Sequence, residues 1–302
     1  MTWVAAVLIS TSLFAVVTVF DKRLATHLFP SAGSFNAAFG LLQALIAVVY
    51  FSAVIPTVGF DGGEGVPWAI ASGLLWALGL FLFFHGLSME EASRAAPIQQ
   101  VGPIFAAVVA VLFLGEMLTT LQWAAVVVVI LGAALVSARP EDGLFRLARG
   151  RAFFILLAGS FSIGMAFIAS EAATHTMNVW GIQAIRSAAM SVGVLALAAR
   201  PATVRELRSV GRSVGAWANL LLAEGILGPI AALMFVIALS LGPVSSVSAV
   251  SASRPMFVLL LGVLLSTKYF DVLHERIDRR SIGVKTMAIA MIVVGVAALS
   301  LG

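Results

Sequence analysis

The chain of 302 residues contains no cysteine, which excludes a disulfide framework and a thiolate metal site. Charge is nearly as scarce: Asp, Glu, Lys and Arg make up 11% of the residues, against about 25% in an average soluble domain. With 61% hydrophobic residues and a mean hydropathy of +1.08, too few polar side chains remain to cover a water-facing surface. Catalytic patterns are missing as well. No His-Glu-x-x-His, no Gly-x-Ser-x-Gly and no Walker-type phosphate loop occurs, so the chain is not read as an enzyme, and no cofactor or metal is expected. Met1-Thr2-Trp3 lacks the basic region of a cleaved signal, and the run before Asp21 is expected to be a retained span.

What the chain has in quantity is long apolar runs. A helix crossing a hydrocarbon core of roughly 30 Å needs about 20 residues. Runs of that order, bounded by charges or Gly/Pro clusters, fall near 3–20, 34–55, 67–87, 95–114, 119–138, 152–173, 179–199, 216–240, 244–266 and 283–301. The predicted fold is therefore all-α and integral to the membrane, with ten transmembrane helices. The connectors 56–66, rich in glycine, and 200–215, rich in arginine and serine, read as loops.

An internal repeat is visible in the letters. Leu87-Ser88 returns as Leu239-Ser240, Pro103 as Pro255 and Phe105 as Phe257, all at one offset of 152 residues. Gly132 meets Gly295 once an insertion of about 11 residues near 269–280 is allowed. The expected organisation is a first five-helix unit at 1–138, a linker at 139–150 and a second unit at 151–302. Five spans is an odd number, so the second unit enters the membrane from the opposite side, an inverted repeat.

The stretch from Leu87 to Ser137 folds two apolar runs about Gly115-Glu116: a proline-containing span, a Thr-Thr-x-Gln turn, and a second span closing on Gly132-Ala-Ala-Leu. This pattern resembles the EamA repeat of the drug/metabolite transporter superfamily, over essentially the whole chain. The resemblance implies ten spans in two five-helix repeats and movement of small metabolites, often export. Lacking an ATP site, such a protein would be driven by a coupling proton or ion, or by the solute's own gradient; the sequence leaves this open, along with monomer against homodimer. A membrane-embedded enzyme, or a channel or sensory subunit, is the alternative.

Sixteen of the eighteen basic residues fall on one side of the ten spans, in five loops. By the positive-inside rule that side is cytoplasmic, which puts both termini outside, whereas the resemblance implies termini inside. The expected location is a bacterial inner membrane. The basic cluster at 268–285 lies in a short interspan loop and reads as a topology signal, not a nucleic-acid patch.

Ionisable groups within spans are costly and normally face the bundle interior. Arg186, Glu224 and Arg254 are the ones that stand out, and their positions along the spans place them within several Å in depth of one another. Together they carry a net charge of +1, which suits an anionic group of a small-molecule substrate, with Arg254 beside the helix-interrupting Pro255 as the first candidate. Arg186 also matches an arginine early in the second helix of the family's repeat, where the first half has Phe39. Weaker lining candidates are Gln43, Trp76, His85, Gln99, Gln100, Gln183 and the serines at 245–253; serine and glutamine in spans also serve as interhelical hydrogen bonds worth only about 0.6 to 2 kcal/mol. Glu116 stands at a span boundary and reads as a structural residue near a helix start.

Overall fold

The computed structural model describes residues 2–87, 101–113, 115, 117–137, 151–265, 283, 287–295 and 298. Gln99, Gln100 and Glu116 lie outside the described residues.

The described residues form helices and turns. The first half contributes α1 (Trp3–Arg23), α2 (Ala32–Val58), α3 (Gly65–Leu87), α4 (Gly102–Phe113) and α5 (Thr120–Ser137). The second contributes α6 (Arg151–Thr174), α7 (Val179–Ala198), α8 (Pro201–Val210), α9 (Val214–Leu241), α10 (Val244–Ser251) and α11 (Arg254–Leu265), with a further helical stretch at 287–295. Six of these are long and apolar enough to cross a membrane: α1, α2, α3, α6, α7 and α9. Their outer faces carry exposed Leu45, Val48, Leu78, Phe154, Val192 and Ile226, the arrangement a lipid environment favours and water does not.

Two expectations are corrected. The 200–215 connector is not all loop: Pro201, at the first helical position, starts α8, whose Thr203 and Val210 are buried and whose Glu206 accepts a hydrogen bond from the Ser31 hydroxyl at the start of α2. The second span runs past 55 to Val58, into the glycine-rich connector.

Three helices change to π geometry, over Leu24–Leu28, Tyr50–Val54 and Leu221–Leu227. Each π segment ends two residues before a proline: Pro30, Pro56 and Pro229. Proline has no N–H and its ring excludes the carbonyl four residues back, so the hydrogen-bond register slips just upstream of it.

The halves interleave. α1 packs on α9, and their counterparts α6 and α3 pack on each other; α2 packs on α7, and α4 on α10. Close approach depends on glycine. A Cβ at Gly79 would lie 3.1 Å from the Gly159 carbonyl oxygen, and one at Gly73 only 2.5 Å from that of Arg186. Gly132 on α5 abuts the Ala288 backbone while Gly295 abuts Val129 in return, so each of the two glycines that the repeat pairs lets the other's helix approach closely. Hydroxyl groups tie the helices: Ser10 to the Ala231 carbonyl, Ser162 to that of Leu75, and Ser191 to that of Gly40, at 2.7 to 2.8 Å. α4 and α11 both span twelve residues and begin and end at positions 152 apart.

The hairpin turn is built by its motif. Gly115 has φ +69°, the left-handed region that glycine enters at little cost. Thr119 then caps α5 reciprocally with Gln122, whose backbone N–H donates to the Thr119 hydroxyl at 3.2 Å while the Thr119 N–H donates to the Gln122 amide oxygen at 2.9 Å.

Candidate functional site

A cavity opens between α1, α2, α3, α7, α9 and the start of α11, with an empty volume of about 620 Å³ including its mouth. Each helix contributes a face set by its 3.6-residue period. α1 presents Phe14, Val17, Thr18 and Asp21; α2 presents Phe39 and Gln43; α7 presents Gln183, Arg186 and Met190; α9 presents Glu224, Gly228 and Ala232.

Six of the nine sequence candidates converge here: Arg186, Glu224, Arg254, Trp76, Gln43 and Gln183. His85 does not. It lies nine residues, about two and a half turns, beyond Trp76 on α3, hence on the opposite face, where it is exposed and stacked on Phe81. The serines at 245–253 are buried between helices and line no part of the cavity. Arg254 opens α11 directly after the Ala252-Ser253 turn, so the helix interruption expected before Pro255 is present.

The two arginines occupy different surroundings. Arg186 is 3% exposed, its guanidinium carbon 5.3 Å from the centre of the Trp76 ring. The close contact of Gly73 with the Arg186 backbone brings α3 against α7 and sets Trp76, one turn on, beside that guanidinium. Tyr50, at the start of a π segment, lies near it and near the side chain of Gln183. Among the described residues Arg186 Nη1 and Gln183 Oε1 are buried without a hydrogen-bond partner. Arg254 is half-buried, its guanidinium 4.7 Å from the Phe14 ring centre, and it neighbours both Asp21 and Glu224. Phe14 in turn stacks on Trp76 at 6.4 Å, so the cavity wall reads Arg254, Phe14, Trp76, Arg186. A cation over an aromatic face in a desolvated site contributes about 2 kcal/mol, which offsets part of the cost of burying each guanidinium.

Asp21 is the residue that sequence reasoning missed. The first span was expected to stop before it, but α1 continues to Arg23 and turns Asp21 inward. The charge count therefore changes: two carboxyl groups face two arginines, and Glu224 does not stand alone. Both carboxyls lie by Arg254 and act on each other. Two signals pointed to Asp21: the stripe of Phe14, Val17, Thr18 and Asp21 at helical spacing, and Pro30 downstream, which extends the helical register past the apolar run.

Similarity to known proteins agrees with this architecture. A solved crystal structure, titled only as a protein, superposes with a TM-score of 0.71 over 98% of this chain and 97% of that one at 16% identity, which speaks to fold alone. An uncharacterized protein of Methanocaldococcus jannaschii is 30% identical over 98 residues, covering 32% of this chain and 69% of its own. A protein of a Sinorhizobium species described as an uncharacterized transporter is 25% identical over 142 residues, 45% of this chain and 96% of that one. The model of the EamA-like transporter family matches twice, over residues 1–138 and 150–301, and so takes in every helix that lines the cavity. The chain belongs to the EamA-like transporter family, within the drug/metabolite transporter superfamily.

Proposed function

We propose that this membrane transporter is a secondary carrier that moves a small polar metabolite bearing a carboxylate, such as an amino acid, by alternating access of the central cavity between two inverted halves. The observation that carries the reading is Arg186: a buried guanidinium with an unpartnered Nη1, in a cavity where the nearby carboxyls sit beside the other arginine. An uncompensated buried cation is costly, and an incoming carboxylate would supply both the missing charge and the missing acceptor. Gln183 and Gln43 add neutral hydrogen-bonding groups, and Trp76 a flat apolar wall.

The basic loops are taken as cytoplasmic, and transport is favoured over catalysis by the family assignment. The test is a thermal-stabilisation screen of the purified protein with carboxylates, amino acids and amines, followed by uptake of the best compound in proteoliposomes. A ligand that binds the folded state alone raises the melting temperature, by about 2.7 kcal/mol of stability at a hundred times its Kd. Stabilisation by a carboxylate that then accumulates without covalent change supports the reading. Stabilisation by cations only, or chemical conversion of the compound, refutes it.

A further inference from the structure

Beside Arg254, the carboxyl groups of Asp21 on α1 and Glu224 on α9 line the same cavity and act on each other. Two neighbouring carboxylates in a site shielded from water repel, and a single proton held between them relieves that repulsion. One oxygen of Asp21, Oδ1, is buried without a partner among the described residues. The pair also bridges the two family-matched segments, since Asp21 belongs to 1–138 and Glu224 to 150–301.

The groups facing the pair are few. α11 brings Arg254, whose Nε is itself unpartnered; α7 brings Arg186 farther along the cavity, near Tyr50 of α2. On α1 the adjacent Arg23 is exposed, as is His27 in the next turn, and the Val214–Leu220 and Gly228–Leu241 segments of α9 and the whole of α10 carry no ionisable group. Glu224 sits in the π segment upstream of Pro229, where the backbone register is already disturbed, and its Oε2 lies where a Cβ on Gly228 would come within 2.9 Å. The carboxylate is thus held by the absence of a side chain one turn on.

We infer that Asp21 and Glu224 together bind a single proton at the seam between the two halves, and that this proton is the coupling ion. With the proton in place the pair carries one negative charge beside Arg254, and Arg186 is left as the cavity's uncompensated cation. When the proton leaves, the cavity becomes neutral overall and its hold on an anionic group weakens. Proton and carboxylate occupancy therefore favour each other, and linkage makes that preference reciprocal. The coupling role rests on the transport reading above; the shared proton does not.

Infrared difference spectra of the purified protein between neutral and alkaline pH test the proton directly. A protonated-carboxyl C=O band is expected at neutral pH, lost in Asp21→Asn and in Glu224→Gln and shifted in Gly228→Ala. A missing band in the wild type, or one untouched by all three substitutions, overturns the site, as does stabilisation of the wild type but not Asp21→Asn by sodium over choline. Proteoliposomes given a carbon-14-labelled amino-acid mixture test the coupling. A transmembrane pH gradient should raise wild-type uptake at least about fivefold and leave exchange by Glu224→Gln unmoved. Uptake indifferent to the gradient overturns the coupling and leaves the transport reading standing. No uptake or exchange by any form, with the infrared band present, refutes the transport reading for this substrate class and the coupling role with it, while the shared proton stands.

Discussion

The two ends of the cavity solve the same problem, a guanidinium in a membrane, in different ways. At the α11 end, Arg254 is surrounded by Asp21, Glu224 and the Phe14 ring, so its charge is met by protein groups. At the α7 end, Arg186 is more deeply buried, yet its neighbours are Trp76, Tyr50 and Gln183, none of which carries a compensating negative charge at neutral pH. A buried charge that is paired within the protein fixes helices to one another; one left unpaired waits for a ligand. Under the proposed function, the difference favours Arg186 over Arg254, the first candidate from sequence, as the partner of the substrate's anionic group.

The largest effect that separates the ends is on affinity. Arg186→Lys should weaken binding of the stabilising carboxylate at least about a hundredfold, roughly 2.7 kcal/mol, because a lysine cannot offer two parallel donors in the plane of a carboxylate. Arg254→Lys should cost about tenfold, since it acts on the ligand only through the carboxyl pair. Equilibrium binding to both variants in detergent checks the order. If Arg254→Lys proves the more damaging, the carboxylate sits at the α11 end and the division drawn here is wrong.

Next in size is a change that moves one end and spares the other. In Gly73→Ala the new methyl would stand 2.5 Å from the Arg186 carbonyl oxygen, so α3 must retreat from α7 and carry Trp76 with it. Overpacking of this kind costs about 2 kcal/mol and should lower the melting temperature. The Arg186 end should loosen, while the infrared signature of the carboxyl pair stays in place. A variant as stable as the wild type would mean that α3 and α7 are not in the contact described.

How much of this was legible depended on where each residue stood along its span. Arg186, Glu224 and Arg254 stood out because an ionisable group deep in an apolar run has no ordinary explanation, and depth alone brought them together. Depth says nothing about direction around the helix, which is why His85 was grouped with Trp76 although it points the opposite way. Asp21 was lost to a boundary rule: a charge at the end of an apolar run reads as the edge of the membrane, when it was the last residue of an inward stripe. The helix of α8 was hidden by composition, since arginine and serine suggest a loop unless Pro201 is read as a start. The π segments were encoded by Pro30, Pro56 and Pro229 in a regularity that hydropathy does not register.

The smallest effect should leave both ends alone. Thr119 lies at the hairpin between α4 and α5, away from every residue that lines the cavity, and its hydroxyl accepts from the Gln122 N–H in the reciprocal cap. Thr119→Ala removes that acceptor and leaves one of the first-turn N–H groups of α5 unmet, at a cost of about 1 kcal/mol. Substitution by serine keeps the oxygen and should restore most of the loss. Thermal unfolding in detergent should therefore rank wild type above Thr119→Ser and both above Thr119→Ala, with ligand affinity and the pH response of uptake unchanged across the three. A shift in affinity would mean that this hairpin, read here as scaffold, communicates with the cavity, and that the contrast between Arg186 and Arg254 depends on how α4 and α5 are seated.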